Sequence, residues 1–151
     1  MTILFYLKRD AFGWLSNFSP HAIEMKGVVW PTVEHYYQAQ KFAGTEHEEL
    51  IRQALGPWLA KWLAHDGSRP VRADWDAVKD RIMQEAVLKK FETHPSLSEA
   101  LLATGDEELM EDAPDDYYWG RGADGTGENK LGKLLMEVRS LLRGRATGNT
   151  A

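Results

Sequence analysis

The sequence predicts a mainly α-helical fold with a few short β-strands, an α+β domain. Segments that match strand chemistry are short and few. Apolar residues instead recur at helical spacing in several stretches, most clearly between Glu128 and Arg143. The apolar positions of that stretch are Leu131, Leu134, Leu135, Val138, Leu141 and Leu142. With 151 residues the chain is long enough to bury a core, so we predict one compact domain over residues 1–143 and a disordered tail at 144–151.

The first third of the chain contains the predicted strands. Residues 3–7 have the composition of a short strand, and residues 23–30 fit a hairpin that turns at Lys26-Gly27. Thr32 is a good N-cap for a helix that runs to about Phe42.

The rest of the chain is predicted to be helical, with clear start and stop signals. Pro57 and Pro95 suit the first turns of two helices, Asp74 can cap a third, and Gly105 can end the helix that begins at Pro95. The predicted spans are 46–55, 57–65, 74–91, 95–105 and 128–143, with an extended or irregular segment at 107–119.

Two details of these helices give specific expectations. Trp58 and Trp62 are four residues apart, so they share one helix face, and we expect that face to be core. Gly132 interrupts the last helix at a cost of about 1 kcal/mol relative to alanine, which the close approach of another backbone or a ligand would explain.

Composition and charge restrict the function classes. Hydrophobic residues make up 43% of the chain and charged residues 27%, and no apolar run approaches the roughly 18 residues of a membrane span. The formal net charge of -5 disfavours general nucleic-acid binding. The chain has no cysteine and no N-terminal pattern of a secretory signal, so we expect a cytoplasmic location.

The most distinctive segment is residues 115–129. Asp115 and Asp116 lead into an aromatic cluster that ends at Trp119, and a glycine-rich loop and a helix follow. Carboxylates, a stacking ring and loop amides at a helix start suit a ligand with a flat base and a phosphate. The alternative is a turn-rich connection with a buried tryptophan. The GxGxxG pattern at residues 120–125 is not a dinucleotide fingerprint, because no hydrophobic strand precedes it.

A second polar pattern lies in the helix that follows Thr32. Glu34, Gln38 and Lys41 are spaced i, i+4 and i+7, so they form one polar stripe on an otherwise semi-apolar helix. Such a stripe can line a pocket. The alternative for Glu34 is a favourable interaction with the helix dipole in the first turn.

Other residues give weaker signals. The five histidines lack metal-ligand spacing, and no serine lies in a GxSxG nucleophile elbow, so we expect neither a metal site nor a serine triad. Arg72 can bind a phosphate or form an ion pair with Asp74 or Asp76. Trp119 is the best stacking candidate, and Trp14 and Trp75 come next.

Several ordered motifs together resemble the NADAR family, also called the YbiA-like family. These motifs are Gly13-Trp14-Leu15-Ser16-Asn17-Phe18, residues 30–42, Arg72-Ala73-Asp74-Trp75, Lys90-Phe91, residues 103–106 and residues 115–129. The resemblance extends from about Phe5 to Arg143. It implies a mainly helical domain that cleaves or recognises N-glycosidic bonds to ribose.

The resemblance also implies a substrate class and a set of site residues. YbiA-like members resemble hydrolases of phosphoribosylamino-pyrimidine intermediates of riboflavin biosynthesis, and other members act on ADP-ribose attached to a nucleobase. Two alternatives stay open. The protein can remove ADP-ribose from a modified protein, or it can be a module that binds NAD or ADP-ribose without catalysis. No cofactor, metal, membrane or protein partner is expected. The resemblance implies that Glu34, Asp115 and Asp116 are the catalytic carboxylates. The other residues that the family motifs imply for the site are Asn17, Lys41, Trp75, Trp119, Gly120 and Asn129.

Overall fold

The computed structural model describes residues 1–148, which form two compact units. One unit contains residues 1–16 and the part of the chain from His94 onward, and the other contains Asn17–Thr93. Among the described residues there are six α-helices, four short strands and one 3-10 turn, so the prediction of a mainly helical α+β fold is confirmed. No helix of residues 1–148 is both long enough and apolar enough to cross a membrane.

The unit of residues 17–93 begins with the predicted hairpin. Strands β2 (Ile23–Met25) and β3 (Val28–Trp30) pair antiparallel. Lys26 and Gly27 both have positive φ, as a tight two-residue hairpin requires.

Four helices complete this unit, and α1 is its centre. They are α1 (Val33–Gln40), α2 (Glu46–Arg52), α3 (Pro57–His65) and α4 (Trp75–Thr93). The hydroxyl oxygen of Thr32 accepts the backbone N–H of His35 at 3.1 Å, which confirms the predicted N-cap. Every residue of α1 is buried, because α1 packs against the three other helices. Its polar side chains therefore lie in a desolvated interior.

The expectation that Trp58 and Trp62 belong to the core is wrong. Their exposed fractions are 63% and 60%. The buried face of α3 is instead formed by Pro57, Ala60 and Ala64, whose small side chains let α1 and α3 pack closely. The i, i+4 spacing correctly places the two tryptophans on one face, but spacing alone does not say which face is buried.

The other unit pairs two strands that are far apart in sequence in a parallel two-stranded sheet. Strand β1 (Thr2–Phe5) lies beside β4 (Glu108–Glu111), in register from Thr2 with Glu108 to Phe5 with Glu111. The segment 107–119 was expected to be extended or irregular, and part of it is this regular strand. Helix α5 (Pro95–Ala103) precedes β4, and Gly105 follows it with φ 64°, as a helix stop requires.

Helix α6 (Lys130–Ala146) packs on β4 and α5 and buries the predicted apolar face, apart from Leu141, which is 45% exposed. A Cβ atom at Gly132 would collide with the carbonyl oxygen of Leu109, so the expected close backbone approach is confirmed. The helix continues three residues beyond the predicted end at Arg143, into the segment assigned to the tail. Residues 149–151 of that predicted tail lie outside the described residues.

Candidate active site

Five of the predicted site residues lie in the unit of residues 17–93, and they are Asn17, Glu34, Lys41, Arg72 and Trp75. We call Asn17, Glu34, Gln38, Lys41 and Trp75 the Glu34 cluster. Glu34 is 7% exposed, and its backbone N–H donates to the carbonyl oxygen of Asn17 at 3.2 Å. The side-chain amide of Asn17 contacts the sulfur of Met83 at 3.4 Å. The Ser-Asn-Phe turn therefore holds the first turn of α1, which positions the Glu34 carboxylate.

Gln38 orients Glu34 and leaves one of its own polar atoms unmatched. Its Nε2 donates to Glu34 Oε2 at 2.7 Å, as the i, i+4 spacing allows. Its Oε1 is buried, and no residue of the described chain donates to it. An ionised carboxylate can only accept, so it fixes the amide with Nε2 toward Glu34 and Oε1 away. A buried acceptor without a donor costs roughly 1–3 kcal/mol, which a structural role alone does not explain.

Lys41 lies at the C-terminal end of α1 and is 8% exposed. Burial lowers the pKa of Lys41 to about 8, while the negative charge of Glu34 opposes that shift. Lys41 Nζ lies 5.9 Å from the centre of the Trp75 ring, and this ring packs at 5.1 Å against the ring of Tyr37. The cluster thus combines a carboxylate, a partly desolvated amine and an aromatic wall.

Arg72 joins this cluster through its backbone. Its N–H donates to the carbonyl oxygen of Lys41 at 2.9 Å. Its guanidinium group makes a bidentate ion pair with Asp74, with distances of 2.6 and 3.0 Å. The ion-pair alternative is therefore present in the structure, and phosphate binding by Arg72 stays a prediction.

The other predicted residues lie in the second unit, within residues 115–129, which we call the Trp119 segment. Asp115 is exposed. Asp116 is partly buried, and its Oδ1 accepts the backbone N–H groups of Tyr118 at 3.0 Å and Trp119 at 2.8 Å. These two hydrogen bonds close a turn, so the Asp116 carboxylate has a structural role. Glu34 is therefore the better candidate for the catalytic carboxylate.

Gly120 and Asn129 are built into the packing of this segment. A Cβ atom at Gly120 would lie 3.0 Å from the Ala113 side chain. Asn129 is 4% exposed and has φ 50°, a left-handed conformation that asparagine tolerates. Its side chain accepts from Glu111 N and donates to Leu109 O, both at 3.0 Å. Asn129 thereby satisfies backbone groups of β4 as a neighbouring strand would.

The backbone N–H groups of the glycine-rich loop are largely occupied. The N–H groups of residues 121–123 and 125–131 all donate to acceptors within the chain. Two of these bonds involve the start of α6, where Lys130 and Leu131 donate to the carbonyl oxygens of Tyr118 and Trp119. Anion binding by this loop stays a prediction, and it would require an anion to displace one of these bonds.

Trp119 is partly exposed and packs edge-to-face on Tyr118, with ring centres 5.0 Å apart. The Lys130 ammonium lies 4.8 Å from the centre of the Tyr118 ring. Part of the Trp119 side chain is thus accessible, which base stacking requires.

The structure adds residues that the sequence analysis did not select. Gln38 was noted only as part of a stripe, Tyr37 only within the motif of residues 30–42, and His65 only among the histidines without metal-ligand spacing. The hydrogen bond of Gln38 to Glu34 follows from i, i+4 spacing, so this role could have been found. The contact of His65 with Lys41 spans 24 positions and has no local signal. Within residues 1–148, no group of three or more histidine or carboxylate side chains is arranged to hold a metal ion.

Comparisons with known proteins identify a family that covers most of the chain. The NADAR domain family matches residues 4–143. An N-glycosidase of Nostoc punctiforme, Npun_R5314, is 51% identical over 95% of this chain and 94% of its own length. The N-glycosidase YbiA of Escherichia coli is 44% identical over 93% of this chain and 88% of its own length.

A solved structure and a plant relative extend the comparison. The NMR structure of E. coli YbiA superposes with a TM-score of 0.88 and 42% identity, covering 97% of this chain and 87% of that one. The maize chloroplastic riboflavin biosynthesis protein PYRR is 41% identical over 94% of this chain but only 25% of its own length. The chain therefore belongs to the NADAR domain family, and it is an N-glycosidase, a hydrolase that acts on N-glycosyl bonds.

Proposed function

We propose that the Glu34 cluster is the catalytic centre and that the substrate is a pyrimidine carrying a phosphoribosylamino group. The observation that carries this proposal is the buried Glu34 carboxylate, which Gln38 and the Asn17 turn hold in one orientation. A buried, oriented carboxylate on a fully buried helix is costly and needs a reason beyond the helix dipole.

The chemistry of the proposed reaction uses this carboxylate directly. Breaking the bond between ribose C1′ and the amino nitrogen builds positive charge on the sugar, as in other glycoside hydrolyses. Glu34 stabilises that charge or takes a proton from the attacking water. The water oxygen bonds to C1′, the departing nitrogen gains a proton, and the products are an aminopyrimidine and ribose 5-phosphate.

Other members of the cluster suit the remaining parts of such a substrate. The Lys41 ammonium can pair with the phosphate, and the partly exposed Trp75 ring, which packs on buried Tyr37, can offer a face to a flat base. The unmatched Gln38 Oε1 can accept a hydrogen bond from a ribose hydroxyl if the side chains around it move. We also propose that Trp119 provides a base-stacking surface, which is tested separately below.

Names of relatives support the substrate class. The maize relative and a relative from Vibrio vulnificus, 40% identical over 97% of this chain, are both named as riboflavin biosynthesis proteins. We therefore infer that this chain removes ribose 5-phosphate from early intermediates of that pathway.

A side-by-side assay tests this proposal. Purified protein is incubated with a phosphoribosylamino-pyrimidine and, separately, with an ADP-ribosylated nucleobase and an ADP-ribosylated protein. We expect release of ribose 5-phosphate from the first substrate, and its loss in Glu34→Gln. Faster release of free ADP-ribose than of ribose 5-phosphate would overturn the substrate assignment. A Glu34→Gln protein as active as the wild type would overturn the catalytic one.

A further inference from the structure

Contacts of α3 and α1 select one tautomer of a neutral histidine. His65 is the last residue of α3, and its Nδ1 lies 2.7 Å from the carbonyl oxygen of Lys61. Its Nε2 lies 3.3 Å from Lys41 Nζ. A carbonyl oxygen can only accept, so Nδ1 carries a proton, and in the neutral ring Nε2 then presents its lone pair to Lys41. The Lys41 ammonium therefore donates to His65.

The charges around Lys41 determine how much its ammonium gains from the His65 Nε2 acceptor. Glu34, on the same helix, attracts the ammonium, whereas Lys61 of α3 and Lys79 of α4 repel it. Burial further disfavours the charged form and lowers the pKa of Lys41 to about 8. A neutral hydrogen-bond acceptor on Nζ works against both effects, because it stabilises the ammonium more than the amine.

We propose that His65 is a positioning residue that keeps the Lys41 ammonium charged and oriented for an anionic substrate group. This role rests on the proposed function, in which Lys41 pairs with the substrate phosphate. It operates only while Nε2 is unprotonated. A proton there would remove the acceptor and place a second cation 3.3 Å from Lys41. The Asp66 carboxylate would not offset it, since Ser68 and Arg69 already bind that group.

A simpler role for His65 is to satisfy a carbonyl at the end of α3. Two substitutions separate the roles. His65→Gln and His65→Leu both lose the Nδ1 bond to Lys61, but glutamine keeps an acceptor where Nε2 lies and leucine does not. Equal behaviour of the two variants would identify the purely structural role.

The first experiment needs no ligand. Full-length protein is labelled with [13Cε]lysine, the Lys41 resonance is assigned with Lys41→Arg, and the pKa of Lys41 is read from its titration by NMR. We expect this pKa to fall by roughly 0.5–1 pH unit in His65→Leu and to stay near the wild-type value in His65→Gln. The same Lys41 pKa in wild type, His65→Leu and His65→Gln would overturn the proposal.

The second experiment separates this proposal from the proposed function. Affinity for ribose 5-phosphate, with ribose as the control without a phosphate, is measured by calorimetry at about pH 7.5, just below the pKa of Lys41. We expect His65→Leu to bind ribose 5-phosphate roughly two- to threefold more weakly at this pH, because a smaller fraction of Lys41 is charged, and His65→Gln to bind like the wild type. If the Lys41 pKa falls in His65→Leu but affinity does not change, Lys41 does not bind the phosphate and that part of the proposed function fails, while the link from His65 to Lys41 stands.

Discussion

The Glu34 cluster and the Trp119 segment are both rich in polar groups, but they satisfy them differently. In the Trp119 segment, Asp116 and Asn129 bind backbone groups, and most loop N–H groups have acceptors within the chain. Its one unmatched buried side-chain atom among the described residues, Arg121 Nε, lies 3.6 Å from the Asp112 carboxylate, an ion pair that offsets its burial. In the Glu34 cluster, Gln38 Oε1 lacks a donor and Lys41 is desolvated. The largely satisfied network of the Trp119 segment stabilises the fold, whereas the unmatched acceptor and the desolvated ammonium of the Glu34 cluster cost stability and lie beside the proposed catalytic carboxylate. Substitutions in the two regions should therefore have opposite signatures.

The largest expected effect is on turnover in Glu34→Gln. Loss of a general acid or base typically costs about 10²–10⁴-fold, so kcat should fall by that much with little change in the free energy of unfolding. Glu46→Gln is the matched control, because Glu46 is an exposed carboxylate in the first turn of α2. If both variants lose the same small amount of stability and neither loses activity, Glu34 serves only the helix dipole.

Asn129→Ala should instead reduce stability. It leaves Leu109 O and Glu111 N without their partner, so we expect a loss of roughly 2–4 kcal/mol in the free energy of unfolding by denaturant titration. Activity per folded molecule should be unchanged. Asn129→Asp keeps the acceptor for Glu111 N and should lose less. A stable Asn129→Ala protein with a raised KM would show that Asn129 contacts substrate.

The pH dependence of stability should reveal the lowered pKa of Lys41. The pKa of Lys41 is about 8 in the folded protein, compared with an ordinary value of 10.5. The free-energy penalty for burying the ammonium is therefore present in full below about pH 8. The folded state then releases the proton first as pH rises, and the free energy of unfolding should increase between pH 8 and 10.5. Lys41→Met should remove up to about 3 kcal/mol of that increase.

Lys90 is the matched control for this measurement. It is 1% exposed, and burial lowers the pKa of Lys90 to about 7. Lys90→Met should remove a similar increase that begins near pH 7, without raising the KM for a phosphorylated substrate. If Lys41→Met and wild type show the same pH dependence of stability, Lys41 is not desolvated as described.

The smallest expected effect concerns Trp119. If its ring stacks on a base, Trp119→Ala should weaken substrate binding by roughly 5- to 150-fold, because such stacking is worth about 1–3 kcal/mol. Trp119→Phe should retain most of the affinity. If Trp119→Ala instead loses about 3–5 kcal/mol of stability and its folded fraction binds substrate normally, Trp119 is a core residue.

Sequence patterns predicted the helices well because their ends carry local signals. Thr32, Pro57, Pro95 and Gly105 mark the ends of α1, α3 and α5 through capping and backbone preferences that act within one turn. The pairing of β4 with β1 had no such signal, since the partners are 106 residues apart.

The contrast between local signals and contacts between distant residues also applies to the site. The Glu34–Gln38 bond follows from helical spacing, but the Lys41–His65 contact and the unmatched Gln38 acceptor arise only when helices pack. The exposure of Trp58 and Trp62 was missed for a related reason. The buried face of α3 is the one whose small residues pack against α1. Periodicity within α3 does not reveal which face that is.

Chemical rescue tests the central role of Glu34 most directly. The rate of ribose 5-phosphate release from a phosphoribosylamino-pyrimidine is measured for Glu34→Ala with increasing formate, after circular dichroism shows that the variant is folded. A small carboxylate that enters the vacated space should raise the rate in proportion to its concentration until it saturates, and it should not raise the rate of Asn129→Ala. A folded Glu34→Ala protein whose rate equals that of the wild type, or does not respond to formate, would contradict a catalytic carboxylate at this position.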